Sequence, residues 1–150
     1  VSRKEAPADA RPLGWLVTKA ASALALRLGR AFAEAGVRIS PEQYGVLACA
    51  ARSPGSSQAD VARALGRDAP SLTRLADALE RGGFLVKEPD AEDRRAYRLA
   101  LTAAGKEALA AADRVVAREE AFIEAAIESG AKAPVAEAMR RLIEACAAGR

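Results

Sequence analysis

Apolar residues recur along most of the chain at intervals of three and four, the spacing that gathers them on one side of a helix. From Pro12 to Ala35 the pattern is carried by Leu13, Leu16, Val17, Ala20, Leu24, Leu28, Ala31 and Phe32. Pro12 suits a first-turn position, and Gly36 suits the place just past the end. A second helix opens at SPEQYGVLACAA, with Ser40 as cap, Pro41 at the first helical position and Gln43 completing a capping box. RSPGSS, residues 52–57, interrupts the chain. Ser57 then precedes Asp60 by three, an acidic variant of the box, and a short helix carries Val61 and Leu65 before Gly66. Asp68 caps the next helix, Pro70 lies in its first turn, and Leu72, Leu75, Ala76 and Leu79 form its buried stripe up to Gly82-Gly83.

Two helices joined by a tight glycine-containing turn, the second amphipathic, make a helix-turn-helix. The period then changes to two. FLVKE and AYRLALT alternate apolar and polar positions around PDAEDRR, which is rich in turn formers and charge, so a β-hairpin is predicted. A hairpin directly after the second helix of a helix-turn-helix is a wing. Thr102 caps a long helix striped by Leu109, Ala112, Val116, Ile123 and Ile127. After ESGAKAP a last helix carries Val135, Met139, Leu142, Ile143 and Cys146. The expected fold class is mainly α with a small β-hairpin wing: a winged helix-turn-helix flanked by long N- and C-terminal helices.

Composition changes this picture in three ways. The 150 residues suit one domain, but alanine supplies much of the 51% hydrophobic fraction and aromatics only 4%. A thin core of that kind favours burial of helices against a second chain. The chain contains no His, which excludes His-based zinc sites, Ser-His-Asp triads and Cys-His pairs. No catalytic residue set, no metal site and no cofactor are expected. Cys49 and Cys146 have neither disulfide nor metal spacing and read as small apolar residues. Finally, the net charge of +3 permits a polyanionic partner without demanding one. No apolar run approaches the ~18 residues of a membrane span, and the polar N-terminus is unlike a secretory signal. A cytoplasmic location is expected.

In a helix-turn-helix the first turns of the second helix meet base edges in the major groove. With its leucines committed inward, that helix offers Ala69, Pro70, Ser71, Thr73, Arg74 and Asp77 outward. Arg74 suits a bidentate contact to guanine or a clamp on phosphate. Ser71 and Thr73 are short enough for bases or phosphates. Ser57 and Gln58 would present a hydroxyl, an amide and a positive helix terminus to a phosphate.

GGFLVKEPDAEDRRAYRLALTAAGKEAL resembles the wing of the MarR family of bacterial transcriptional regulators, through Gly83, Phe84-Leu85, Lys87, Asp93-Arg94-Arg95, Leu99, Leu101, Thr102 and Gly105. The resemblance extends over residues 12–148. It implies one domain, 1–150, that forms a homodimer through helices at 12–36 and 103–148 and carries a winged lobe at 40–102. It implies binding to double-stranded DNA at a pseudo-palindromic operator, expected to act in repression. In the family an Asp-x-Arg pair sits at the wing tip, its arginine entering the minor groove and its aspartate holding that arginine. This maps onto Arg95 and Asp93, with Arg94 as a backbone contact. A planar, permanently charged guanidinium fits the concentrated negative potential of a narrow minor groove. The family also implies a small phenolic or anionic effector between the terminal helices and the lobe, for which Trp15, Lys19 and Tyr44 are the candidates.

Asp90, Glu92 and Asp93 balance Arg94, Arg95 and Arg98, so the wing is not net basic, and binding must depend on dimer geometry and placed arginines. Two other readings compete. A winged helix can serve protein–protein contact, although an exposed Arg74 and the Asp93–Arg95 pair argue against it, and salt dependence separates the two. Some MarR proteins sense oxidants through a cysteine near the start of the first helix. This chain has none there, leaving Cys49 or Cys146 for such a role.

Overall fold

The computed structural model describes residues 11–90 and 96–148. Among them the order is α1 (Leu13–Glu34), α2 (Pro41–Arg52), α3 (Gln58–Ala64), α4 (Ala69–Arg81), β1 (Leu85–Pro89), β2 (Tyr97–Leu101), α5 (Ala103–Ala126) and α6 (Lys132–Ala148). Mainly α with a two-stranded wing is the fold the sequence predicts.

Side-chain caps set the helix starts. The Ser40 hydroxyl accepts from the Gln43 amide at 3.2 Å while the Gln43 side chain accepts from the Ser40 amide at 2.9 Å. Ser57 and Asp60 close the same reciprocal box at α3. Asp68 accepts from the Ser71 amide at 2.7 Å, and Thr102 from the Gly105 amide at 3.0 Å. Past α3 and α4 the chain reverses through Gly66 (φ 62°) and Gly83 (φ 75°), left-handed positions that cost glycine nothing sterically.

Three boundaries depart from expectation. Pro12 is the residue before α1 and not within its first turn, and it offers no side-chain cap. Ile127 leaves the α5 stripe because the helix ends at Ala126 and Ile127 is extended (φ −100°, ψ 138°). Helix α6 starts at Lys132, inside the stretch expected to separate the two helices. Its Pro134 falls in the first turn, where the missing N–H forfeits no intrahelical bond.

One core joins the lobe to α1 and α5. Phe32 of α1 meets Val46, Leu47 and Ala50 of α2, Val61 and Ala62 of α3, Leu72, Ala76 and Leu79 of α4, Leu85 and Leu99 of the hairpin, and Ala112 and Val115 of α5. Outside it the long helices are bare. Phe32 is the one buried residue of α1, and α6 has none. Leu26 is 60% and Ile143 68% exposed. Among the described residues no helix is long and apolar enough to cross a membrane.

The hairpin is antiparallel, with register running from Leu85↔Leu101 to Pro89↔Tyr97. Strict alternation puts Leu85, Lys87, Leu99 and Leu101 on its inner face. A third segment joins unannounced by any sequence periodicity: Ser57 bridges Arg98, and the Leu99 amide donates to the Ser56 carbonyl at 3.2 Å.

Candidate nucleic-acid interface

Helix α4 buries Leu72, Ala76 and Leu79 and leaves Ala69, Pro70 and Arg74 exposed. Its outward polar groups are organised by hydrogen bonds to one another. The Arg74 guanidinium donates to the Ser71 hydroxyl at 3.0 Å, and that hydroxyl donates to Asp68 at 3.0 Å. The Ser71 amide, then its hydroxyl, holds the Asp68 carboxyl below its usual pKa. Arg74 is thus oriented by a relay that starts at the helix cap.

Thr73 and Gln58 are also brought together. The Gln58 side-chain amide donates to the Thr73 hydroxyl at 2.7 Å, and that hydroxyl donates to the Ala69 carbonyl at 2.9 Å. The Thr73 proton is therefore engaged inside the helix, and the pair braces the start of α3 against α4. Ser57 stands apart from them. Its hydroxyl accepts from the Asp60 amide at 3.1 Å and donates to the Asp60 carboxylate at 2.7 Å. Those bonds, joined by Arg63 at 2.9 Å, depress the Asp60 pKa. In this arrangement the Ser57 hydroxyl is engaged by the cap it forms.

Asp77, expected outward, instead flanks β1. Lys87 Nζ lies 2.5 Å from Asp77 and 3.1 Å from Glu80, and the Lys87 amide donates to Glu80 at 3.2 Å. The bond to Asp77, then the one to Glu80, raises the Lys87 pKa, and Lys87 lowers that of Asp77. The basic residue of the wing motif therefore clamps the hairpin to α4.

Asp93, Arg94 and Arg95 lie outside the described residues. The loop that contains them leaves β1 through Asp90, whose amide donates to the Ala96 carbonyl at 3.0 Å. Gln58, Ala59, Ala69, Ala96 and Tyr97 line a hollow of about 290 Å³ between α3, α4 and β2. Arg98, in the sequence one wing charge among six, bonds to Asp90 and to the Gly55 carbonyl. Alternation alone could have placed it on the hairpin's outer face, but not found these partners.

The three residues expected at an effector site are not gathered within one chain. Trp15 and Lys19 are exposed on α1, with the Arg11 guanidinium 4.0 Å over the Trp15 ring. Tyr44 packs edge-on against Phe32 at 6.0 Å and donates to Asp113 at 3.0 Å. Burial, then the Asp113 bond, raises its pKa. At 1.5 Å per residue, Phe32 lies about 25 Å along α1 from Trp15. A separate cleft of about 340 Å³ opens between α1, the start of α2 and α5, lined by Leu24, Leu28, Val116 and Ile123 with Arg27, Arg67 and Glu119. None of the three expected residues lines it. Arg27 pairs with Glu119 and lies 3.6 Å over the Phe122 ring. Helical periodicity does not single out Arg27 or Arg67. Cys49 is half-buried in α2 and Cys146 exposed on α6, both free thiols. Among the described residues no group of His, Cys, Asp or Glu could hold a metal.

The MarR family profile matches residues 39–97. Over 104 residues the chain is 31% identical to a Thauera aromatica protein named as a transcriptional regulator for the hcr operon. That overlap takes in 69% of this chain and 63% of the relative, so less than two thirds of the relative's length is spanned. Two crystal structures align along almost their whole length. One is the M. tuberculosis transcriptional regulator MOSR in complex with DNA, at 26% identity and a TM-score of 0.81, covering 93% of this chain and 99% of that one. The other is the PcaV regulator of Streptomyces coelicolor with its natural ligand, at 26% identity and 0.80, covering 94% and 99%.

Proposed function

We propose that this chain, which belongs to the MarR family, is a cytoplasmic DNA-binding transcriptional regulator that grips a pseudo-palindromic operator as a homodimer and represses by occupying it. One observation carries the reading. The exposed first half of α4, with Arg74 steadied by Ser71 and Asp68, stands beside a wing that Lys87 fastens to the same helix. Arg74 would read a guanine or clamp a phosphate, with Ser71 beside it and the Gln58–Thr73 pair at the edge of the groove. Ser57 would contribute by fixing the start of α3. In the wing loop, Arg95 would enter the minor groove, with Asp93 restricting its rotamers and Arg94 on the backbone.

The terminal helices, 12–36 and 103–148, would supply the dimer. The bare apolar positions of α1 and α6 support this, since a second copy would cover them. Each lobe, 40–102, then takes one half-site. A small aromatic or anionic effector would act by population shift, preferring lobe spacings that misfit the operator. Its place would be the cleft between α1, α2 and α5. Of the residues expected there, Tyr44 lies in the seam between α1 and α5, while Trp15 and Lys19 lie toward the outer end of α1.

Fluorescence anisotropy on labelled duplexes from upstream of the protein's own gene tests the reading. The expected result is tight binding of two chains to one fragment, weakening steeply with salt. Equal, weak binding to every fragment, without salt dependence, would overturn it and favour a protein-binding winged helix.

A further inference from the structure

We infer that Arg98 is the positioning residue of the wing: it fixes the base of the wing loop to the turn before α3 and thereby sets where the loop's arginines meet DNA. This rests on the DNA-binding reading above. Arg98 lies on the outer face of β2, opposite Glu88 in register. Its guanidinium reaches in two directions. Nε donates to Asp90 Oδ2 at 2.8 Å, and Nη1 donates to the Gly55 carbonyl at 3.1 Å.

Both partners are themselves constrained. The Asp90 side chain is only 10% exposed, and the Asp90 amide closes the hairpin on Ala96. Gly55 holds φ at 80°, and a Cβ there would come within 3.3 Å of Arg98 Nη1. Backbone bonds run alongside, through the Ser57–Arg98 bridge and from the Leu99 amide to Ser56. One side chain therefore ties together the root of the loop, β2 and the turn leading into α3.

The loop that carries Asp93, Arg94 and Arg95 springs from Asp90 and returns at Ala96. Of its two ends, Arg98 holds Asp90 directly and Ala96 through the Asp90 amide. A planar guanidinium can serve two divergent acceptors at once, whereas a lysine ammonium on a flexible stem cannot hold both in one geometry. These two bonds engage Nε and Nη1 of Arg98 and direct its guanidinium toward Asp90 and Gly55. The influence on DNA inferred for it is the one that passes through the loop.

The test measures operator affinity across a salt series for the wild type, Arg98→Lys, Arg95→Ala and the double variant, with thermal unfolding followed alongside. The probe is the upstream duplex that the wild type binds most tightly. Arg98→Lys should weaken binding about tenfold with the salt slope unchanged, because no phosphate contact is lost. In the Arg95→Ala background the same change should matter less than about twofold, since residues acting through one another are not additive. Asp90→Ala cuts the link from its other end and should give the same coupled loss, which keeps the test open if the lysine variant folds poorly. A lysine variant that binds like wild type would overturn the inference, because charge alone would then suffice. Equal losses in both backgrounds would overturn it too, because Arg98 would then act independently of the wing tip. A wild type that binds no duplex would remove the DNA-binding reading itself, and this inference with it.

Discussion

Gly105 stands so close to the backbone of Phe84 that a Cβ on it would lie 1.9 Å from the Phe84 carbonyl oxygen. The same carbonyl accepts from the Thr102 amide at 3.2 Å, and the Thr102 hydroxyl donates to the Gly83 carbonyl at 2.6 Å. The first turn of α5 is thus seated on the turn between α4 and β1. Gly105→Ala should force backbone apart and cost at least about 2–3 kcal/mol, read as a lowered urea midpoint. A midpoint equal to wild type would show that this contact is not tight in solution.

Arg74 makes a sharper prediction for recognition than for stability. If it reads a guanine, Arg74→Ala should cost about 1–3 kcal/mol and relax preference at one operator position while leaving others unchanged. If it clamps a phosphate, every sequence should weaken alike and the salt slope should fall by about 0.9. Binding by a panel of single-base operator variants distinguishes the two. Unchanged affinity for all of them would take α4 out of the interface.

The apolar surface of α6 should hold two chains together. Ile143→Glu places a charge on its most exposed large apolar position, so sedimentation equilibrium should show a lighter species than the wild type. Thermal unfolding of the wild type should depend on protein concentration, and that of the variant should not. A wild type that sediments as one chain at every concentration would rule out the dimer.

Acid should loosen the caps. Asp60, Asp68 and Asp77 are held below their ordinary value of 3.8 by Ser57, Ser71 and Lys87 respectively. The unfolded chain therefore binds more protons in acid, and the stability these groups contribute is present above about pH 3.8 and lost as pH falls through their folded values. Lys87 has the opposite sign. Its pKa is raised above 10.5, so its contribution is present below that pH and lost as pH climbs through the folded value. Asp68→Asn keeps a capping side chain that does not titrate. Its melting temperature should fall less steeply than wild type as pH drops below about 3.8, and parallel curves there would show that Asp68 does not contribute.

What the sequence discloses is mostly local. Ser40 with Gln43, Ser57 with Asp60, and the glycines after α3 and α4 act within one turn of chain, so their spacing already contains the geometry. The bridge from Ser57 to Arg98 joins segments far apart in sequence, and no periodicity foretells it. The site divides the same way. Arg74 is legible as an outward residue on an amphipathic helix, whereas the engagement of Ser57 and Thr73 by internal bonds depends on neighbours that only the fold supplies. On α4 alone Asp77 faces outward; β1 brings Lys87 against it. Tyr44 and Trp15 look alike in the sequence, both amphipathic aromatics near helix starts. The length of α1 separates them.

The buried residues of the core that joins the lobe to α1 and α5 run from Phe32 to Val115, and none belongs to α6. A nascent chain therefore carries everything its lobe needs before α6 has left the ribosome. The lobe can condense while synthesis continues, as domains folding from the N-terminal side do, and α6 finds its place after it. Refolding from denaturant should repeat that order: a fast phase independent of concentration as the lobe forms, then a slower one that quickens with concentration as chains meet.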